Sequence, residues 1–274
     1  MYSDYNVFEM YKNGKKITHI MRDTGFSYAK VKRILVDYNI FESKGTHNSG
    51  IKRKSNLDDN YFEIIDTKEK AYWMGFIWGD GYITNNARNL GISVHIKDIK
   101  HLEKFKDMIS FTGKIGVYKV TSGYKIGSEY SRILFSSPKM VSDLKSHGLQ
   151  ENKSKIMKPP VNGSIPKEFI HHFIRGLQDA NGSICGFVNK YGKNVFYTHF
   201  LGTLDILEYI KENIKFETNQ KYTQRYENCP VYDCRFTMTK TNLWILDFIY
   251  KDSAENIRLD RKYEEYLKIK KFFN

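Results

Sequence analysis

Cysteine is scarce in this chain, and long apolar runs are missing. The three cysteines among 274 residues are an odd number, and Cys229 and Cys234 lack a second pair that would complete a zinc site. No apolar run reaches the roughly 18 residues that a membrane helix needs, and the first residues contain no apolar signal segment. We therefore expect reduced thiols and a soluble, cytoplasmic protein.

Acidic residues are too few to balance the basic ones. The chain has 44 Lys and Arg against 31 Asp and Glu, a net charge of +13, and the basic residues are dispersed among 20 Tyr and 18 Phe. Residues 1–56 contain 11 Lys and Arg against 5 Asp and Glu, a surplus of 6. This balance predicts a polyanionic partner, with nucleic acid the first candidate.

One stretch of nine residues occurs twice, as WMGFIWGDG at 73–81 and IRGLQDANG at 174–182. Both copies carry small residues at the third and seventh positions. Small residues four apart lie on one face of a helix, and that face lets a second backbone approach closely. The repeat therefore predicts two helices packed side by side.

Each copy ends in a polar residue followed by glycine, Asp80-Gly81 in the first and Asn181-Gly182 in the second. The glycine predicts the end of each helix. A helix C-terminus is the negative end of the dipole and favours a cation. An aspartate beside free backbone carbonyls there is a candidate ligand of a divalent metal ion. The alternative is two core helices that end in ordinary turns.

The hydrophobic pattern around both copies predicts the same order of elements, which is helix, hairpin, helix, hairpin, helix. Asp66-Thr67-Lys68-Glu69 has the spacing of a capping box for the first motif helix, and Asp98 is predicted to cap the next helix. Asp80 and Asn181 occupy corresponding places in the repeat. Two α+β halves related by a pseudo-two-fold axis are therefore predicted, over residues 66–160 and 161–274.

This pair of motifs resembles the LAGLIDADG family of homing endonucleases, in its single-chain form with two motif copies. The resemblance covers about residues 57–274. It implies two pseudo-symmetric αββαββα halves that form a DNA-binding saddle. It also implies a monomer that cuts double-stranded DNA at specific sites, uses Mg²⁺ or Mn²⁺, and is encoded by a mobile genetic element.

The resemblance also implies the site residues. The acid at the eighth motif position holds the metal in each half, which maps onto Asp80 with the Gly79 carbonyl beside it, and onto Asn181 with Ala180. The family further places a lysine near each site. The matching residues are catalytic candidates that follow the last helix of each half: Lys153, with Lys155 as an alternative, and Lys262.

Asn181 departs from the family pattern because an amide lacks the charge that binds a hard cation. Three explanations stay open: a nicking enzyme, a cleavage-deficient protein such as a DNA-binding regulator or an RNA-splicing maturase, and an engineered variant that traps uncleaved DNA. Asp179, at the sixth motif position, is expected to be structural, with replacement of the missing ligand as the alternative.

Residues 1–40 are predicted to form a helix-turn-helix domain, and residues 41–65 a basic linker. The helix from Ser27 to Tyr38, preceded by a turn at Gly25, would enter the major groove. A module that contacts protein is the alternative. The candidate DNA contacts of this part are Tyr28, Lys30, Lys32, Arg33, Lys52, Arg53 and Lys54.

The predicted strands carry basic side chains that we expect to point away from the helices and to contact DNA bases and phosphates. These candidates are Arg88, Lys97, Lys119, Lys125, Arg132, Lys190, Lys193, Arg225 and Arg235.

Overall fold

Two compact units, Met1–Arg53 and Lys54–Asn274, make up the chain. The structure, a computed structural model, describes residues 2–38, 40, 55–84, 87–123, 126–215 and 222–274. Within these residues, no helix combines the length and the apolarity needed to cross a bilayer. Lys52, Arg53, Lys54 and Lys125 lie outside the described residues.

The described residues of the first unit form three helices: α1 (Asp4–Lys12), α2 (Ile17–Thr24) and α3 (Tyr28–Asp37). Gly25 ends α2 with φ +73°, a left-handed conformation that glycine adopts without strain. The Ser27 hydroxyl accepts a hydrogen bond from the Lys30 amide and so caps α3. The predicted helices of this part are therefore confirmed. Their small core consists of Val7, Ile20, Val31, Ile34 and Leu35.

The second unit contains the predicted repeat of elements. The first half consists of α4 (Lys68–Asp80), β1 (Gly81–Ile83), β2 (Asn89–His95), α5 (Ile99–Met108), β3 (Gly116–Lys119), β4 (Glu129–Ser136) and α6 (Pro138–Ser146). The second half consists of α7 (Ile170–Asn181), β5 (Ser183–Val188), β6 (Asn194–Gly202), α8 (Leu204–Ile214), β7 (Thr223–Gln224), β8 (Tyr232–Thr237), α9 (Trp244–Tyr250) and α10 (Asp260–Phe273). The α+β fold of two αββαββα halves, with a small helical part before them, is confirmed.

Each half of the second unit builds one antiparallel sheet from its described strands. The strand orders are β1-β2-β4-β3 and β5-β6-β8-β7. In the first sheet, alternate residues such as Ile92 and Ile133 are buried against α5 and the other helices, whereas Tyr82, Arg132 and Leu134 lie on the opposite, more exposed face. We call that second face the open face of each sheet.

The motif helices α4 and α7 lie against each other along their small residues. A Cβ added to Gly75 would lie 2.0 Å from the Phe173 carbonyl oxygen, and one added to Gly176 would lie 2.0 Å from the Tyr72 carbonyl oxygen. The two backbones are therefore in direct contact at both glycines. This reciprocal packing is the reason for the small residues four apart in the motif.

We expect Gly176→Ala to destabilise the second unit by about 3 kcal/mol. Alanine favours helices over glycine, but here its methyl group would overlap backbone atoms of α4 that belong to a rigid helix. Urea unfolding gives the free-energy difference. Gly163→Ala is the control, because a Cβ there meets no atom within 4 Å and its cost is limited to left-handed strain. A Gly176→Ala protein as stable as the control would contradict the close packing.

Two predictions about the start of the second unit were wrong. The described part of the proposed linker, from residue 55, packs onto the first half, with Tyr61, Phe62 and Ile65 buried in its core. Their irregular spacing hides this burial from a periodicity argument. The cap of α4 is the Thr67 hydroxyl, which accepts a hydrogen bond from the Lys70 amide, while Asp66 forms an ion pair with Lys70.

Candidate active site

Asp80 and Asn181 are the last residues of α4 and α7, and the structure brings these two helix ends together. A Cβ added to Gly79 would lie 2.3 Å from the Ala180 Cβ and 3.3 Å from the Asn181 Cγ. The Asn181 side chain therefore lies against the residue that precedes Asp80. Because both helices end here, the negative ends of two helix dipoles meet at this point.

Each helix end is capped by a buried lysine from the same half of the unit. The Lys153 ammonium donates to the carbonyls of Gly81 and, at 3.1 Å, Gly79. Lys155, the alternative, is exposed. The ammonium group replaces the missing hydrogen-bond donors at the helix C-terminus and offsets its partial negative charge.

Lys262 performs the same role at the end of α7. Its ammonium donates to the carbonyls of Gln178, Asp179 and Gly182 at 2.6–2.7 Å. Lys262 and Lys153 are 3% and 8% exposed. Two lysines this deeply buried are unusual, and each has carbonyl partners at the end of a motif helix.

The charges of this site depend on its burial. Burial raises the pKa of Asp80 to about 6, and the positive charges of Lys262 and Lys153 limit that rise. Burial likewise lowers the pKa of both lysines to about 8, and the Asp80 carboxylate opposes that shift. The Asp80 carboxylate and the two ammonium groups therefore stabilise one another's charged forms.

A cleft of about 340 Å³ opens beside Asp80. Asp98 and Arg261 line it as well, and the Arg261 Nε donates to both carboxylate oxygens of Asp98 at 2.8 and 3.1 Å. Asp98 makes no side-chain cap on α5, so its predicted capping role was wrong. The pairing joins residues 163 positions apart, and no local pattern indicates it.

Asp179 serves the packing of the site. Its buried carboxylate accepts hydrogen bonds from the Tyr72 hydroxyl at 2.8 Å, the Tyr250 hydroxyl at 3.2 Å and the Leu259 amide at 2.8 Å. These donors come from α4, α9 and the segment before α10. Three donors therefore occupy the carboxylate, which connects the two halves and also lines the cleft beside Asp80.

The donor atoms fit a divalent ion only when a substrate completes the set. Within the described residues, no three His, Cys, Asp or Glu side chains form a metal-binding group. The Asp80 carboxylate and the Asn181 amide oxygen are the side-chain oxygens at the helix ends, while the Gly79 carbonyl already accepts a hydrogen bond from Lys153. One carboxylate with water and phosphate oxygens is a usual environment for Mg²⁺. Burial raises the pKa of Asp80 and so disfavours its ionised form, and a bound cation would stabilise that form.

Two of the predicted base contacts lie on the open faces. Arg132 of β4 stacks on Tyr118, with the guanidinium 4.3 Å from the ring centre, and Arg235 of β8 lies 5.1 Å from the ring centre of Tyr197. Lys119 pairs with Glu129 on the face of the core residues Ser131 and Ile133, so its predicted orientation away from the helices was wrong.

The remaining basic candidates are exposed and lie outside the strands or in α3. Arg88 precedes β2, Lys97 lies in the turn before α5, Lys190 and Lys193 lie in the β5–β6 hairpin, and Arg225 follows β7. Tyr28, Lys30, Lys32 and Arg33 are exposed on α3.

Sequence reasoning missed a polar group on the second open face. The His199 Nδ1 lies 3.0 Å from the Asp233 carboxylate, so that this ring nitrogen carries the proton. Arg235 donates to the same carboxylate at 3.3 Å. His199 is the cross-strand neighbour of Ser183, two residues beyond Asn181. Only the strand register assembles this group.

No protein-family model and no curated protein sequence matches the chain. Solved structures of similar fold include the meganuclease I-SmaMI bound to uncleavable DNA, with 15% sequence identity, coverage of 75% of this chain and 90% of that one, and a TM-score of 0.47. The I-LtrWI LAGLIDADG homing endonuclease bound to target DNA has 10% identity, coverage of 78% and 91%, and a TM-score of 0.49. The LAGLIDADG meganuclease I-AabMI bound to uncleaved DNA has 15% identity, coverage of 74% and 98%, and a TM-score of 0.41.

Proposed function

We propose that this protein is a site-specific endonuclease of double-stranded DNA, of the homing type, which acts as a monomer with Mg²⁺ or Mn²⁺. One observation carries the proposal: a single carboxylate, Asp80, and a single amide, Asn181, end two abutting helices between two lysines. The duplicated motif, the net charge of +13 and the arginines of the open faces support DNA as the substrate.

Asp80 is the metal-binding acid of the site, with Asn181 and the Ala180 carbonyl as neutral oxygens beside it. A divalent ion supplies charge neutralisation at the phosphoryl oxygens and an activated water. Lys153 and Lys262 hold the two helix ends in place and contribute positive charge toward the phosphate. The cleft beside Asp80 gives the substrate backbone access to the carboxylate.

Nicking of one strand is the activity that the unequal helix ends favour. The Asp80 end carries a full negative charge, whereas the Asn181 end offers a neutral oxygen. Since hard cations bind charged oxygen ligands most tightly, metal occupancy and cleavage are both weaker at the second end. A protein that cuts neither strand would instead be a DNA-binding regulator or a splicing maturase on the same scaffold.

Supercoiled plasmids that carry a randomised insert test this function directly. The protein is incubated with the plasmids and Mg²⁺, and the broken ends are sequenced. Open circles broken at one sequence support a site-specific nickase, and linear product indicates that both ends cleave. Plasmids that stay supercoiled while the protein binds them would overturn the nuclease proposal in favour of a binding protein.

The N-terminal unit extends the DNA contact. Ser27 caps α3 and the exposed Lys30, Lys32 and Arg33 lie on this helix, as in a helix that reads the major groove. Together with Lys52, Arg53 and Lys54 they would add phosphate contacts beyond those of the open faces.

Removal of residues 1–54 should weaken DNA binding and flatten its salt dependence. The cut ends before Asn56, which exchanges hydrogen bonds with Thr112 in the second unit, so the remaining unit keeps its own contacts. The slope of log K against log salt should decrease by about 0.9 for each phosphate that the shortened protein no longer neutralises. Fluorescence anisotropy at several salt concentrations measures it. An unchanged slope would show that the N-terminal unit does not contact DNA.

A further inference from the structure

The ion pair between Arg261 and Asp98 leaves most of the guanidinium free. The two hydrogen bonds to Asp98 both come from Nε. Within the described part of the chain, the terminal nitrogens of Arg261 have no hydrogen-bond partner. The Arg261 side chain is 56% exposed and that of Asp98 is 9% exposed. The aspartate is thus a buried anchor and the arginine presents its outer edge to solvent.

That outer edge belongs to the cleft that contains Asp80. Asp80, Asp98 and Arg261 line the same cleft, and the charge of Arg261 acts on the Asp80 carboxylate. A guanidinium has five N–H donors in one plane. With Nε held by Asp98, the four N–H groups of the two terminal nitrogens remain to bind the oxygens of a phosphate in a bidentate manner.

The opposite end of the site has no such pair. Arg261 directly precedes Lys262, and in the first half Asn152 directly precedes Lys153. Asp98 occupies the N-cap position of α5 without capping it, and Thr203 occupies the same position in α8, where its hydroxyl donates to the Met157 carbonyl. Asparagine and threonine cannot form an ion pair. The free guanidinium of Arg261 therefore lies at the helix end that carries the acid Asp80, and the Asn181 end has no counterpart at the corresponding positions.

We propose that Arg261 binds the phosphate cleaved at the Asp80 end and that Asp98 is a positioning residue that fixes its guanidinium. The inference rests on the proposed nuclease function and adds a phosphate ligand to it. Because Arg261 comes from α10 and Asp80 from α4, the second half of the unit supplies this ligand to the acid of the first half.

Four variants and a control test the assignment: Arg261→Gln, Arg261→Lys, Asp98→Asn, the double variant Asp98→Asn with Arg261→Gln, and Lys271→Gln. Lys271 lies exposed on the same helix and loses the same charge. The first measurement is the salt dependence of binding to the duplex found by the plasmid experiment. Arg261→Gln should lower the slope of log K against log salt by about 1, which is the contribution of one phosphate contact. The control should leave that slope unchanged.

The second measurement is the nicking rate with protein in excess over DNA. Arg261→Gln should slow nicking about 100-fold, and Arg261→Lys should restore only part of the rate, because an ammonium lacks the planar fork that binds Asp98 through Nε and a phosphate through the two terminal nitrogens. Asp98→Asn should slow nicking about tenfold, because one neutral amide oxygen holds the guanidinium less firmly than the two charged oxygens of Asp98. In the double variant, Asp98→Asn should slow nicking no further than Arg261→Gln does alone. If Asp98 had only a structural role, its replacement would slow nicking whether or not Arg261 was present.

The two failures can be told apart. If the unaltered protein cuts no plasmid, the nuclease proposal fails, and the salt slope measured on a duplex of arbitrary sequence still decides whether Arg261 contacts phosphate, because phosphate contacts do not depend on sequence. If the unaltered protein cuts and Arg261→Gln matches it in rate and slope, the phosphate assignment is overturned. A variant that only melts at a lower temperature, with rate and slope unchanged, shows that the ion pair is a bridge between the halves.

Discussion

Replacing Asp80 with asparagine is expected to slow cleavage by about 1000-fold while DNA binding persists. The substitution keeps the size of the side chain and removes its charge. Both motif helices would then end in an amide, and no carboxylate would remain at the paired helix ends to hold a divalent ion. Binding should persist because the surfaces proposed to contact DNA, which are the open faces and the N-terminal helices, do not include Asp80.

The measurement pairs plasmid nicking with anisotropy on the same duplex. Asp107→Asn is the matched control, since Asp107 is exposed on α5, away from the helix ends, and loses the same charge. If Asp80→Asn retained full nicking activity, the assignment of the acid would be wrong. If binding and cleavage both disappeared, a structural role for Asp80 would explain the result better.

Replacing Asn181 with aspartate is expected to convert nicking into double-strand cleavage. The new carboxylate would lie against Gly79, at the end of a helix whose carbonyls bind Lys262. Ammonium groups therefore already lie near it to offset part of the added charge. The second helix end would acquire the charge that the first end has, and with it a metal-binding acid.

Linear plasmid measures this gain, and a duplex labelled differently on its two strands identifies each cut. Asn181→Ala is the control, because it removes the amide without adding charge. This variant should still cut only one strand. The double variant Asn181→Asp with Asp80→Asn should cut only the strand that the unaltered protein leaves intact. Persistent nicking of the original strand alone by Asn181→Asp would show that the second end lacks more than its acid.

Local sequence signals predicted the elements because they report short-range physics. Small residues four apart, followed by a polar residue and glycine, gave both motif helices and their ends. The hydrophobic pattern gave the hairpin that follows the second motif helix, observed as β5 and β6, and Ser27 after Gly25 gave the start of α3. Each of these patterns acts within about one helical turn or along one strand, so no distant residue is needed to recognise it.

Residues whose roles depend on distant partners were misread or missed. Asp98 has the spacing of a cap, but its carboxylate binds Arg261 because the start of α10 reaches the first half. Lys119 is a basic strand residue suited to a DNA contact, yet the register of β3 with β4 places it on the face of Ser131 and Ile133 and not on the open face. A shift of one residue in register exchanges the faces of a strand, and the sequence does not encode that register locally.

The sequence by itself determined that the chain has two pseudo-symmetric halves, where their motif helices end, and that one end carries an acid and the other an amide. These properties follow from the order of residue types along short segments. The tertiary structure alone decided that two lysines are buried under the helix ends and that Arg261 and Asp98 meet beside Asp80. Such contacts join residues far apart in the chain, and they form only when the helices, and the segments that carry the lysines and Arg261, pack together.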